Sequence, residues 1–107
     1  MGEKIKLEHG GGGSAMIRLL SETVLREFEL RRAGPVGLDE MDDGAAVEID
    51  GKVFVLTTDS HTVKPVFFPG GDIGRLAVSG TVNDLAVMGG RPVAMASAVV
   101  VEEGFPV

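Results

Sequence analysis

The side chains in this sequence best suited to chemistry are aspartates. They stand at Asp42-Asp43, at Asp59 within Thr57-Thr58-Asp59-Ser60, and at Asp84 beside Asn83. Leu76, Ala77, Val78, Val82, Leu85, Ala86, Val87 and Met88 surround Asp84 with a helical pattern that leaves almost no wet face. A carboxylate in such surroundings is costly unless a cation, a donor or a metal compensates it. The other two sites flank a hairpin pattern, in which the runs Val47 to Asp50 and Lys52 to Leu56 meet at Asp50-Gly51. An antiparallel hairpin brings the far ends of its strands together, so Asp43 and Asp59 are expected to be neighbours. Two adjacent carboxylates repel unless protonated or bridged by a cation, which suits magnesium. The same residues also read as a solvated turn and a strand cap, and the spacing leaves both readings open.

A second candidate precedes the first helix. His9-Gly10-Gly11-Gly12-Gly13-Ser14 runs into a pattern in which Ile17, Leu20, Val24 and Phe28 share one helical face. Glycines let backbone N–H groups approach a phosphate at a helix start, but such a run is equally a linker, and the spacing is neither that of the Walker loop nor that of the dinucleotide fingerprint. Arg31 and Arg32 suit the negative end of this helix, and Gly34-Pro35 is expected to stop it.

The elements that must position these groups follow from the rest of the chain. Residues 1–8 alternate as a short edge strand, and His61 to Phe68 reads as a further strand with Pro65 at an edge or bend. Pro69-Gly70-Gly71 then breaks the chain. Asp72 caps a largely buried helix that Gly89-Gly90 and Pro92 terminate. Val93 to Val101 is an apolar run expected to form a well-covered strand. The final residues, Glu102 to Val107, have neither tail nor cap character, and a truncated chain is expected.

With 107 residues, 44% hydrophobic and 24% charged, one domain or part of one is expected rather than a disordered chain. The net charge of -6 disfavours nucleic acid and anionic membranes. A polyanion such as ATP would need local backbone donors, a few cations and divalent metal. Cysteine is absent, which removes disulfides, thiolate nucleophiles and cysteine zinc sites from this chain. His9 and His61 lack neighbours at ligand spacing. No apolar run follows a basic start or approaches membrane length, so a cytoplasmic location is expected.

Taken together, the ordered motifs are far more specific than any one of them. The glycine-rich loop, Asp42-Asp43-Gly44-Ala45, Thr57-Thr58-Asp59-Ser60, Lys64-Pro65-Val66-Phe67-Phe68-Pro69-Gly70-Gly71-Asp72-Ile73-Gly74, Gly80-Thr81-Val82-Asn83-Asp84-Leu85-Ala86 and Glu102-Glu103-Gly104-Phe105-Pro106 resemble, over essentially the whole chain, the N-terminal portion of the HypE family of hydrogenase maturation factors. The superfamily includes aminoimidazole ribonucleotide synthetase, selenophosphate synthetase and thiamine-monophosphate kinase. That resemblance implies an α+β, ATP-binding N-terminal domain with a mixed β-sheet, helices on one face, and a barrel-like interface completed in a homodimer.

It also implies a carbamoyl dehydratase that uses ATP to convert a C-terminal cysteine thiocarboxamide to thiocyanate, the source of cyanide for nickel-iron hydrogenase. Its partners would be the carbamoyltransferase HypF and the HypC–HypD cyanide-accepting complex. By the same resemblance, Asp43, Asp59 and Asp84 hold magnesium on ATP. Thr58 and Asn83 position the phosphates, Gly10, Gly11, Gly12 and Gly13 cover them, and Lys64 is a further phosphate partner. The family's C-terminal domain and terminal cysteine have no counterpart in these residues, so the expectation is a dimerising fragment that binds Mg-ATP weakly and does not turn over alone. The alternatives are a non-catalytic dimerisation module and a sibling enzyme. The first sibling, selenophosphate synthetase, is disfavoured by the missing cysteine near the glycine loop; the second, thiamine-monophosphate kinase, by the Phe-Phe-Pro-Gly-Gly-Asp stretch. Structural calcium is disfavoured because no dense EF-hand loop is present.

Overall fold

The computed structural model describes Gly2 and Lys4 to Val107. It divides into two compact units, one reaching Leu56 and the other running from Thr57 to Val107. Both contain helical and antiparallel elements, an α+β composition.

In the first unit the expected hairpin forms. Strand β1, Ala45–Ile49, pairs antiparallel with β2, Lys52–Leu56, from Ala45 opposite Leu56 to Ile49 opposite Lys52. Asp50 and Gly51 both take positive φ, 50° and 73°, as the two central residues of a type I′ turn must. The other edge of β1 is met by the chain at 33–36: Ala46 N–H donates to Val36 O at 3.0 Å, and Glu48 N–H to Ala33 O at 2.9 Å. This close approach is why Gly34 is glycine. A Cβ there would fall 2.2 Å from Ala46 O and 2.8 Å from Glu48 N. Ala46, 7% exposed, is the buried hydrophobic residue among those described.

Helix α1, Ser14–Thr23, is shorter than its periodicity predicts. A single 3-10 turn, Leu25–Glu27, follows, and Phe28 is already extended. Ile17, Val24 and Phe28 are exposed, while Ala15, Met16, Leu19 and Leu20 are half-buried, so the covered face is rotated from the expected one. Met16, Leu20, Leu25, Phe28, Leu38 and Val47 line an open apolar groove of about 650 Å³. The helix ends well before Gly34-Pro35, because the connection from Phe28 onward is held instead by arginine chemistry. Arg31 donates from Nη1 to the carbonyls of Leu25 and Phe28, as a C-terminal arginine should, but does so from beyond the last turn. Its Nη2 lies 2.7 Å from Asp39 Oδ1, and Arg32 pairs with Glu40, whose other oxygen accepts from Gly37 N at 2.7 Å.

The expected edge strand near the N-terminus is replaced by a 3-10 turn, Leu7–Gly10, in which Lys6 N–H donates to His9 Nδ1 at 2.9 Å. Met1 and Glu3, which that expectation also covered, lie outside the described residues.

In the second unit, His61 to Phe68 gives only two strand residues. β3, Phe67–Phe68, pairs with β4, Gly71–Asp72, across Pro69-Gly70, with Gly70 at φ 90°. This placement of proline then positive-φ glycine suits a type II turn. Residues 64–66 form a bend. Helix α2, Ile73–Val87, begins and ends where its cap residues predict. Asp72 Oδ1 accepts from Arg75 N at 2.8 Å. At the other end Gly89, φ 75°, donates to Ala86 O and Gly90 to Leu85 O, the paired bonds of a Schellman motif.

Two expectations fail here. No residue of α2 is buried within this chain, despite its apolar circumference, and Val93 to Val101 forms no ladder. Val93, Val99 and Val100 are exposed. Both are apolar enough to be covered, but the described residues supply no element to cover them. The expected mixed sheet with helices on one face is likewise absent among the described residues, which carry two separate two-stranded antiparallel ladders.

Two outcomes test these arguments. Gly34→Ala should lower hairpin stability by about 2 kcal/mol, the scale of forced overpacking, in a denaturant melt. The hydrogen bond from Arg31 holds the Asp39 carboxyl below the usual carboxylate range. Its stabilising contribution is therefore present above the unfolded-state value and is lost as pH falls through the folded one, below about 4. Melting temperatures taken down to about pH 3 should fall less steeply for Asp39→Asn than for the native chain.

Candidate functional site

The residues expected to hold nucleotide and metal are distributed over both units. Gly10 to Gly13 join the 3-10 turn to α1 and are exposed. Of the four, Gly12 alone has a positive φ, 74°. A Cβ at Gly10, Gly12 or Gly13 would meet nothing within 4 Å. The loop is thus not glycine-rich to accommodate its own protein neighbours. Gly13 is the N-cap of α1, and its carbonyl accepts the first helical bond from Ile17 N.

Asp43 lies two residues before β1 and is exposed, with its N–H 3.3 Å from Asp42 Oδ1. The register that sets Ala45 opposite Leu56 is the one the sequence demands for bringing the hairpin's far ends together. Thr58 and Asp59 follow the second of those ends but belong to the other unit. Lys64 is exposed in the bend before β3. Asn83 and Asp84 lie on α2, the former exposed and the latter half-buried. Among the described residues, no three acidic or imidazole side chains are gathered in a form that could hold a metal ion.

Within the second unit, however, Asp59 is tied to the helix through His61, which has no histidine partner at ligand spacing. His61 Nε2 lies 3.3 Å from Asp59 Oδ2, an ion pair when the imidazole is protonated. Asp59 Oδ1 accepts from Ser60 N at 2.7 Å. The same Nε2 sits directly over Gly80 of α2, where a Cβ would fall only 2.5 Å away. Gly80 and Asp84 are four residues apart on one helix and so share a face. Spacing between histidines carries no trace of this contact. A usable signal was present: glycine inside a helix costs about 1 kcal/mol relative to alanine and calls for a neighbour that needs the room.

Carboxylate oxygens such as those of Asp59 and Asp84, both in the second unit, are the donor type that a hard divalent cation prefers. No helix among the described residues is long and apolar enough to cross a membrane.

Comparison with known proteins gives this arrangement a family. Residues 41–106 match the model for AIR synthase related protein, N-terminal domain. That span contains Asp43, Asp59, His61, Gly80 and Asp84, and leaves out the glycine loop and α1. A putative hydrogenase expression/formation protein of Methanocaldococcus jannaschii is 52% identical over 103 residues, covering 95% of this chain and 31% of that protein. A carbamoyl dehydratase HypE of Azotobacter vinelandii is 46% identical over 102 residues, 95% of this chain and 28% of the relative. The carbamoyl dehydratase HypE of Escherichia coli is 39% identical over 107 residues, 95% of this chain and 30% of the relative. This chain thus spans less than a third of the length of these relatives. With its family match running through the hairpin, the Asp59–His61 pair and α2, the chain belongs to the AIR synthase related proteins, as their N-terminal domain, and the HypE hydrogenase maturation proteins are among its relatives.

Proposed function

We propose that this chain is the ATP-binding part of a carbamoyl dehydratase of hydrogenase maturation. The observation that supports it most is the approach of Asp59, through His61, to the α2 face that carries Asp84, in a chain similar along 95% of its length to proteins named carbamoyl dehydratase HypE. In this reading Asp43, Asp59 and Asp84 are the magnesium ligands on the nucleotide. Thr58, Asn83 and Lys64 orient its phosphates, and Gly10 to Gly13 cover them with backbone N–H groups.

The parent reaction would transfer the terminal phosphoryl group of ATP to the oxygen of a thiocarboxamide carried on a cysteine. Breaking the C–O bond then releases inorganic phosphate, the amide nitrogen gives up its two protons, and a thiocyanate remains as the source of a cyanide ligand for nickel-iron hydrogenase. Bound magnesium would supply neutralisation of phosphate charge. The chain's own residues would contribute positioning and hydrogen-bond donation, which is most of what phosphoryl transfer requires. The cysteine is not among these residues, so turnover belongs to the longer parent, in the company of HypF and the HypC–HypD complex.

Exposed Val93 to Val101 and the uncovered apolar circumference of α2 suit burial against a second copy, giving a cytoplasmic homodimer whose strands complete a shared sheet. A dimerisation module without nucleotide affinity shares this surface and differs only in ligand response.

In a thermal-shift titration, magnesium and a slowly hydrolysed ATP analogue should stabilise the native chain only when added together. Asp84→Asn should melt as the native chain does without ligand and bind at least roughly tenfold more weakly, which removes about 1.4 kcal/mol of ligand-linked stability. Equal shifts in both proteins would remove Asp84 from the site. Val99→Asp should convert a dimer to monomer or insoluble protein in sedimentation; an unchanged soluble dimer would contradict the interface assignment.

A further inference from the structure

We infer that His61 is a positioning residue for the carboxylate of Asp59, with Gly80 of α2 as its seat. The inference rests on the nucleotide reading above and deepens it. The imidazole is well covered, with its side chain 14% exposed, whereas the Asp59 side chain is 38% exposed. A covered ring thus steers a carboxylate that remains open to solvent.

The geometry has three parts. His61 Nε2 stands 3.3 Å from Asp59 Oδ2, while Oδ1 of the same carboxylate accepts from Ser60 N. Each oxygen therefore has one fixed neighbour, and an ionised carboxylate has about four lone-pair sites, so both oxygens keep capacity for a cation. The Nε2 apex of the ring also rests on Gly80, with Cε1 3.2 Å and Cδ2 3.6 Å from where a Cβ would be. One nitrogen therefore touches the helix backbone surface and the carboxylate at once. Finally, helical side chains lean toward the N-terminus, so Asp84 covers the turn that contains Gly80. Asp84 therefore stands one turn beyond the residue against which the His61 ring rests. Any other residue at position 80 would push the ring away, which explains a helix-interior glycine that propensity disfavours.

Groups that orient a metal ligand without touching the metal change metal affinity roughly 10- to 100-fold when removed. The test is a Mn2+ titration of the full chain by electron paramagnetic resonance, with and without a slowly hydrolysed ATP analogue, alongside nucleotide binding measured in the absence of metal. His61→Ala should raise the Mn2+ needed for half-saturation of the nucleotide complex roughly tenfold. It should leave metal-free nucleotide binding and the circular dichroism spectrum unchanged. His61→Gln, whose amide nitrogen reaches the position of Nε2, should recover most of the affinity. Gly80→Ala should show the loss of His61→Ala, even though alanine favours the helix. Unchanged Mn2+ affinity in His61→Ala, or equal loss of metal-dependent and metal-free binding, would overturn the positioning role while leaving the nucleotide reading intact. Absence of Mn2+–nucleotide binding by the native chain would overturn the nucleotide reading, and the positioning role with it.

Discussion

The second unit depends on the closure of α2 at both ends. Asp72 satisfies the N–H of Arg75 at the start, and Gly89 and Gly90 return their N–H groups to Ala86 and Leu85 at the finish. Free helix ends would fray and lengthen unpredictably, since the terminal backbone groups have no partners of their own. Fixed ends set the extent of the helix. Within it Gly80 lies against His61, and Asp84 follows Gly80 on the same face one turn later. The Pro69-Gly70 turn sets Asp72 opposite Phe67, so the cap is itself positioned by a short ladder rather than by a core.

The first unit solves a different problem, that of fixing strand ends in a chain with little buried apolar surface. It does so through backbone geometry and paired charges. The type I′ turn at Asp50-Gly51 sets the register, the Gly34 segment lies along the free edge of β1, and Arg31 and Arg32 hold the intervening loop through Asp39 and Glu40. Exposed ion pairs of this sort are individually weak, so their contribution is to geometry more than to stability. The apolar surface left over, on α2 and along Val93 to Val101, is what a partner surface would take up.

How much of this was legible in the sequence follows from whether the controlling interaction is local. The ends of α2 could be read because Asp72, Gly89 and Gly90 act within a few residues of themselves, and the hairpin because Asp-Gly dictates its turn. The end of α1 could not, because Arg31 reaches back to Leu25 and forward to Asp39, and no periodicity records such a reach. The strand expected at Val93 to Val101 failed for a related reason: apolar character shows that a segment wants cover, not that the same chain provides it. Of the candidate site, the aspartates can be proposed from type, spacing and likeness to a family, while no three such groups gather among the described residues. His61 was not legible, since its partners Asp59 and Gly80 lie on a loop and a helix that only the fold brings together.

Under the proposed function, carboxylates on and around α2 serve a magnesium-bound nucleotide. Calorimetric titration of the native chain with a slowly hydrolysed ATP analogue, in the presence and absence of magnesium, is the decisive measurement. Saturable heat that requires magnesium is expected. Saturation of equal affinity without magnesium, or none in either condition for both this chain and its longer parent, would contradict the proposed function.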